Sequence, residues 1–483
     1  MTASSDSENR TAQPELTLTP QARKAVIVVL IGAILAFLDA TVVNVALKSL
    51  STTLGGSLDT TQWVVTVYLL TQAAVLPVTG WAARRMGAKR LYFASLLVFV
   101  LASIACGLAS DIGQLIGARV VQGIGGGAMV PAGQIILVKA AGQRGLAKVM
   151  AAVGIPMVLT PVVGPTIGGL LLESAGWQWI FLINVPLGIL GLILAARLLP
   201  TDDDNLSAER LDIRGLALAS LGMIGLTYGL AELGPRGLWS PHVFATLLAG
   251  SVAIATFVVR SSRIAHPLLD IRLYRNALFS SAAVTTFIFG AATFGGMVLM
   301  PLYFQIVRGQ DAAHTGMLMA PQGIGAAVAM GLSGRIFDRI GSRICVIGSV
   351  IGVVATVPFM LLTDSTPYWL LGLAMTVRGA GIGLAVMPAM TVALRTLTPA
   401  QISDATPQLN IMQRIGGSIG TALFVVVLND HLRDANLQAD RASAFGTTFT
   451  WALAAAILAV VPTVAMAVLE RRARSHRPVP QQD

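Results

Sequence analysis

A carboxylate deep inside an apolar stretch is the first residue of this chain that could do chemistry. Asp39 lies within Ala25–Leu47, AVIVVLIGAILAFLDATVVNVAL, with Asn44 five residues further on. A run of that length spans a bilayer as a helix, at ~20 residues and ~1.5 Å each. An acid at that depth costs about 2.5–3.5 kcal/mol on insertion scales, so a span serving only as an anchor would not keep one. Such acids face water-filled cavities and relay protons or bind ions; the other reading is an interhelical hydrogen bond. Arg119, Arg378 and Arg414 are the basic residues that also fall inside apolar runs. Counting at ~1.5 Å per residue from Lys48 and from Asp111, Asp39 and Arg119 both lie roughly 12–13 Å below the same surface. Matched depth permits an ion pair. Burial disfavours a charged carboxylate and a guanidinium favours it, a balance suited to a protonation switch. The plainer role for Arg119 is a fixed counter-ion.

The second half of the chain carries a polar helix face. Asn410, Gln413 and Arg414 are spaced by three and four residues and so share one side. A polar face in a membrane helix looks either into a buried network or into a cavity. With Asn44 and Arg378, these residues form the expected substrate cavity. A third feature is TPVVGPTIGG, residues 160–169, where Pro161 and Pro165 alternate with Gly164, Gly168 and Gly169. Gly164 and Gly168 make a GxxxG face for close helix approach, and the prolines remove backbone donors.

The elements that must position these residues follow from hydropathy. The chain has 483 residues, 55% hydrophobic and 12% charged, with mean hydropathy +0.75. That is too little charge to cover a soluble protein of this size. The apolar runs predict fourteen helices, at 25–47, 63–82, 91–110, 112–138, 147–172, 178–198, 214–233, 242–260, 278–301, 315–336, 344–363, 369–394, 405–428 and 447–469. They do not alternate, which excludes a membrane barrel. The fold class is therefore an all-α integral membrane protein. Its expected organisation is a disordered cytoplasmic tail (1–24), a six-helix bundle (25–198), two inserted helices with flanking loops (199–276), a second six-helix bundle (277–469) and a cytoplasmic tail (470–483). Net charge is +10, but the basic residues fall in short clusters between apolar runs, so no nucleic acid partner is expected. Cys106 and Cys345 give neither metal-ligand spacing nor a disulfide framework. No metal, cofactor or catalytic constellation is expected, and the chain is read as no enzyme.

Lys and Arg concentrate in alternate loops, which places both termini inside by the positive-inside rule. Two of these loops repeat each other. Gly80-Trp-Ala-Ala-Arg84-Arg-Met-Gly87-Ala-Lys-Arg90 lies between spans two and three. Gly334-Arg-Ile-Phe-Asp338-Arg339-Ile-Gly341-Ser-Arg343 lies at the matching place in the second half. Each is followed about forty residues later by an intramembrane Arg and a glycine-rich stretch, a pattern of internal repeats found in transporters.

At these residues the chain resembles the major facilitator superfamily, and within it the fourteen-helix drug:proton antiporters of the QacA/EmrB type. Residues 38–47, 119–127, 160–169 and 177–188, together with the loop motif, are similar to that group's signatures in order. The resemblance implies a major facilitator fold and an exporter that works by alternating access, with protons exchanged for a lipophilic small molecule. Asp39 and Arg119 would couple protons. Pro161, Gly164, Pro165, Gly168 and Gly169 would form the antiporter motif. Gly80, Arg84, Gly87, Arg90, Asp338, Arg339, Gly341 and Arg343 would form the inner gate. The expected setting is a monomer in the lipid bilayer of the inner membrane. A same-fold exporter of a specific metabolite or self-made antibiotic is the first alternative, and a membrane sensor or intramembrane enzyme the second. One departure matters: Arg84 stands where the family's loop motif has Asp. Asp404, near the start of the thirteenth helix, offers it a carboxylate, so the lock is expected to have its charges exchanged.

Overall fold

The computed structural model describes residues 18–202, 209–433 and 438–475. Fourteen described helices are long and apolar enough to cross a membrane. They are α1 (Pro20–Leu54), α2 (Asp59–Met86), α3 (Ala88–Gly107), α4 (Ile112–Gly142), α5 (Gly145–Ser174), α6 (Trp179–Leu198), α7 (Ile213–Arg236) and α8 (Pro241–Arg263). The second bundle follows as α9 (Ala277–Ile306), α10 (His314–Ile340), α11 (Arg343–Leu361), α12 (Tyr368–Arg395), α13 (Gln401–Arg433) and α14 (Asp440–Arg472).

The helices outrun their apolar stretches because polar caps, rather than hydropathy, set their ends. Thr19 Oγ accepts from Ala22 N at 3.1 Å and Pro20 opens the first turn, so α1 begins inside the segment expected as a tail. The tail expected at 1–24 is thus helical from residue 20, and residues 1–17 lie outside the described residues, as do 476–483. Asp111, Asp212, Asn276 and Asp311 cap α4, α7, α9 and α10 in the same way. Gly142, at φ +58, breaks the chain between α4 and α5 where no other residue would turn as freely.

Each half is a bundle of six helices, α1–α6 and α9–α14. Small residues let them close up: Gly125 of α4 meets the backbone of Ser95 and Phe99 on α3, and Gly290 of α9 meets that of Gln413 on α13. Two pairs carry most of the contact between the halves. α5 packs on α10, where Gly334 lies against Lys148, and α2 packs on α13, where Gly80 lies against the Ser403 carbonyl. Both of those contacts are at the end of the bundle that carries the basic loops, called the basic end below.

The inserted pair is more than a spacer. α7 packs against both α2 and α13. Ser220 Oγ donates to Ala74 O at 2.6 Å, Trp63 and Tyr228 stack at 5.7 Å, and Asn429 Nδ2 donates to Gly234 O at 3.2 Å. α8 is held to α7 by close approach of Gly250 to Gly225 and by an Arg260–Asp212 ion pair at 2.8 Å. Its outer face, with Phe244, Leu248 and Val252 exposed, suits acyl chains.

Candidate transport site

Asp39 is 1% exposed and Arg119 fully buried. Arg119 Nη1 donates to Asp39 Oδ2 at 2.5 Å. The other carboxylate oxygen accepts from Gln122 Nε2 and from Asn184 Nδ2, both at 2.9 Å. Arg119 also donates to Gln122 Oε1 (2.7 Å) and, through Nε, to Val64 O (2.9 Å). Its guanidinium lies 3.9 Å from the Tyr68 ring centre. Gln122 Nε2 donates further to Ser103 Oγ at 2.8 Å. Two helices, α4 and α6, thus bring donors to the buried carboxylate of α1, and Ser103 of α3 joins the network through Gln122. The carboxylate accepts three hydrogen bonds from neighbouring side chains, which satisfies most of its acceptor capacity away from water.

Gln122 and Asn184 were not anticipated from the sequence, though both stood in plain motifs. Gln122 is three residues after Arg119 and so shares its helix face. Asn184 is the one amide inside the apolar helix that follows Trp179.

A cavity of about 410 Å³ opens on the other side of the α1 wall. Ala36, Phe37, Ala40 and Thr41 of α1 line it, bracketing Asp39, which does not itself reach it. α2 supplies Leu69, Gln72 and Leu76; α4 supplies Val130, Pro131 and Gln134; α5 supplies Val153, Met157, Thr160 and Pro161. α13 contributes Asn410, Gln413 and Arg414. These three reach across to the first half. Asn410 Nδ2 donates to Gln134 Oε1 at 2.7 Å, Gln413 Nε2 lies 3.9 Å from Met157 Sδ, and Arg414 donates to Leu69 O (3.0 Å) and Gln72 Oε1 (2.7 Å). α7 closes the wall between α2 and α13 with Thr227, Leu230, Ala231 and Gly234.

Two residues expected in the cavity are placed elsewhere. Asn44 is exposed, and its amide donates back to Ala40 O and Thr41 O of its own helix, both at 3.3 Å. Arg378 is 4% exposed and donates to Ala292 O (3.0 Å) and Gln322 Oε1 (3.4 Å), packed against Gly296 of α9. Neither lines the cavity.

The antiporter-motif residues seat α5 on α1. A Cβ on Gly164 would stand 2.9 Å from Thr41 Cβ, and one on Gly168 would stand 3.0 Å from Val42 O. Thr41 Oγ also reaches Thr160 O at 3.3 Å. Pro161 lines the cavity, Pro165 is half-buried one turn on, and Gly169 faces open space.

At the basic end Arg84 Nη1 pairs with Asp404 Oδ1, each side chain 16% exposed. Glu209, on the α6–α7 connection, lies 3.7 Å from the same guanidinium, and its carbonyl accepts from Trp81 Nε1 at 3.1 Å. Gly87 ends α2 at φ +90, and the next two amides of α3 that find a side chain, Lys89 N and Arg90 N, donate to the Asp202 carboxylate at 2.9 and 3.1 Å. The second half repeats the device: Gly341 ends α10 at φ +64, and Ser342 N donates to Glu470 Oε2 at 2.7 Å. In each half an acid at the end of the sixth helix or just beyond it, Glu470 in the last turn of α14 and Asp202 after α6, meets the start of the third. Asp338, Arg339 and Arg343 lie exposed on this surface, Asp338 in the field of Lys148 and Arg395.

Comparison with known proteins decides the family. The model described as Major Facilitator Superfamily matches residues 29–421. The chain belongs to the major facilitator superfamily. The "Multidrug resistance protein B homolog" of Mycobacterium tuberculosis is 38% identical over 406 residues, 83% of this chain and 75% of that protein. The "Putative multidrug resistance protein MdtD" of Salmonella heidelberg is 31% identical over 463 residues, 93% and 97% of the two chains. The crystal structure of the human organic anion transporter MFSD10 (TETRAN) aligns with TM-score 0.62 at 16% identity, over 92% of this chain and 100% of that one, and so shares the fold. A major facilitator protein of fourteen apolar helices is a multi-pass membrane protein of a transporter family.

Proposed function

We propose that this chain is a proton-coupled exporter of lipophilic small molecules, working by alternating access as a monomer in the inner membrane with both termini cytoplasmic. The names of its relatives, multidrug resistance proteins, support the export reading. The observation that carries the coupling is the Asp39–Arg119 pair, buried directly behind the α1 residues that line the cavity. A ligand pressed against Phe37 and Thr41 and a proton arriving at Asp39 act on the same turn of α1. Each can therefore bias that helix against the other, so that inward proton flow drives outward export. The basic loops favour a cytoplasmic basic end, and the Arg84–Asp404 pair then closes the cytoplasmic side as a gate with exchanged charges.

The test is Asp39→Asn, purified and reconstituted. Gradient-driven export is expected to vanish while the protein remains inserted, and substrate-induced proton release from detergent-solubilised protein is expected to vanish with it. Proton release that persists in the mutant removes Asp39 from the coupling role.

A further inference from the structure

The four charges well inside the helical spans, Asp39, Arg119 and Arg378 buried and Arg414 half-buried, do not balance. Arg119 has Asp39. Arg378 and Arg414 meet only neutral acceptors: a carbonyl and an amide oxygen each. Among the described residues no carboxylate lies within ion-pair distance of either. A buried guanidinium without a counter-ion is costly, and an anion brought to it recovers much of that cost. Arg378 is sealed among α9, α10 and α12. Arg414 is different, because it lines the cavity. Of its five N–H donors, the bonds to Leu69 O and Gln72 Oε1 occupy one on each terminal nitrogen.

The rest of the lining agrees. Gln72, Gln134, Asn410 and Gln413 are neutral amides, and no Asp or Glu is among the lining residues. Phe37, Leu69, Val130, Met157, Phe294 and Met387 supply apolar surface. The volume, about 410 Å³, suits a drug-sized ligand.

We propose that the cavity selects amphipathic organic anions, with Arg414 as the residue that sets the sign of charge. The proposal rests on the exporter reading and names the substrate class of that same cavity. The anion's negative charge lies against the Arg414 guanidinium and the neighbouring amides, while its apolar surface lies against α1, α5 and α9. A lipophilic cation would bring a second positive charge to a site with no acid to receive it.

Tetraphenylborate and tetraphenylphosphonium test this directly, being near-identical in shape and opposite in sign. Equilibrium dialysis would measure their saturable binding to the full chain in nanodiscs, with empty nanodiscs subtracted. The anion is expected to bind at least about tenfold tighter than the cation. Arg414→Gln is expected to weaken the anion about tenfold or more and erase the preference, and Arg414→Lys to keep its sign. Equal binding of the two ions, preference for the cation, no saturable binding of the anion, or a preference untouched in Arg414→Gln would each overturn the proposal. The wild-type comparison stands even if a variant fails to fold. No gradient is applied, so the outcome is separate from that of Asp39→Asn: a failure there leaves the charge preference standing, and the reverse.

Discussion

Removing Asp404 should unlock the basic end by a calculable amount. Fully exposed ion pairs contribute about 0.2–1 kcal/mol, and breaking a fully buried one costs about 3–5 kcal/mol. At 16% exposure on both sides, the Arg84–Asp404 pair falls between, at about 1–2 kcal/mol. That shifts a two-state equilibrium roughly 5–30-fold. Glu209 softens the loss, because it lies 3.7 Å from Arg84 and travels with α2 through Trp81. Asp404→Asn is therefore expected at the lower end of that range, and Asp404→Arg, which sets two guanidiniums together, at the upper. The exchange Arg84→Asp with Asp404→Arg restores the pair but places an acid beside Glu209. Its recovery should be partial, and adding Glu209→Gln should complete it. A thiol at Val153, a lining position ~12 Å in from the basic end of α5, reports opening by its rate of reaction with an impermeant maleimide. Background is low because Cys106 and Cys345 are buried. An unchanged rate in Asp404→Arg, or strictly additive effects in the exchanged double variant, refutes the lock.

Three further outcomes are expected. Gly164→Leu should lower the thermal unfolding midpoint by overpacking α5 against Thr41 of α1, at about 1–3 kcal/mol, whereas Gly169→Ala, which meets open space, should leave the midpoint unchanged. Thiols at Ser57 and Ser240 should label from outside intact cells, and those at Arg210 and Arg343 only after permeabilisation; labelling of 210 and 240 from one side would misplace α7. Exchange of a proton for an organic anion moves net positive charge inward, so in proteoliposomes a negative-inside potential clamped by valinomycin should accelerate tetraphenylborate export beyond the efflux from protein-free liposomes at the same potential. An export rate indifferent to the clamp contradicts that stoichiometry.

The spans were legible because hydrophobic run length alone specifies a membrane helix. Their ends were not, because Thr19, Asp212 and Asn276 act through local hydrogen bonds that a hydropathy window averages away. The Asp39–Arg119 contact was readable from depth, counted in residues from two surface charges. Asn44 drew attention by lying near Asp39 in sequence, yet at five residues' separation it points about 140° away around the helix. Arg378 was drawn in by the internal repeat, whose backbone match carries no information about partners. The place of α7 in the cavity wall was illegible for a different reason. Its inward residues, Thr227, Leu230, Ala231 and Gly234, are too small or apolar to mark a face against lipid.

The repeat makes the contrast between the halves informative. Arg119 and Arg378 occupy matching places, but one meets a carboxylate and the other a carbonyl and an amide. Arginine does not release its proton in proteins, and the one carboxylate among these groups, Asp39, lies in the first half. The second half holds its positive charge throughout. The two are joined at Arg414, which is carried by α13 yet bonded to Leu69 and Gln72 of α2. For α13 to leave α2 when the basic end opens, those bonds must break, and the guanidinium needs another partner or faces the full cost of losing them. A bound anion is such a partner. On the proposed reading, the substrate lowers the barrier to its own passage by replacing α2 at Arg414, while the proton acts one helix away, on α1.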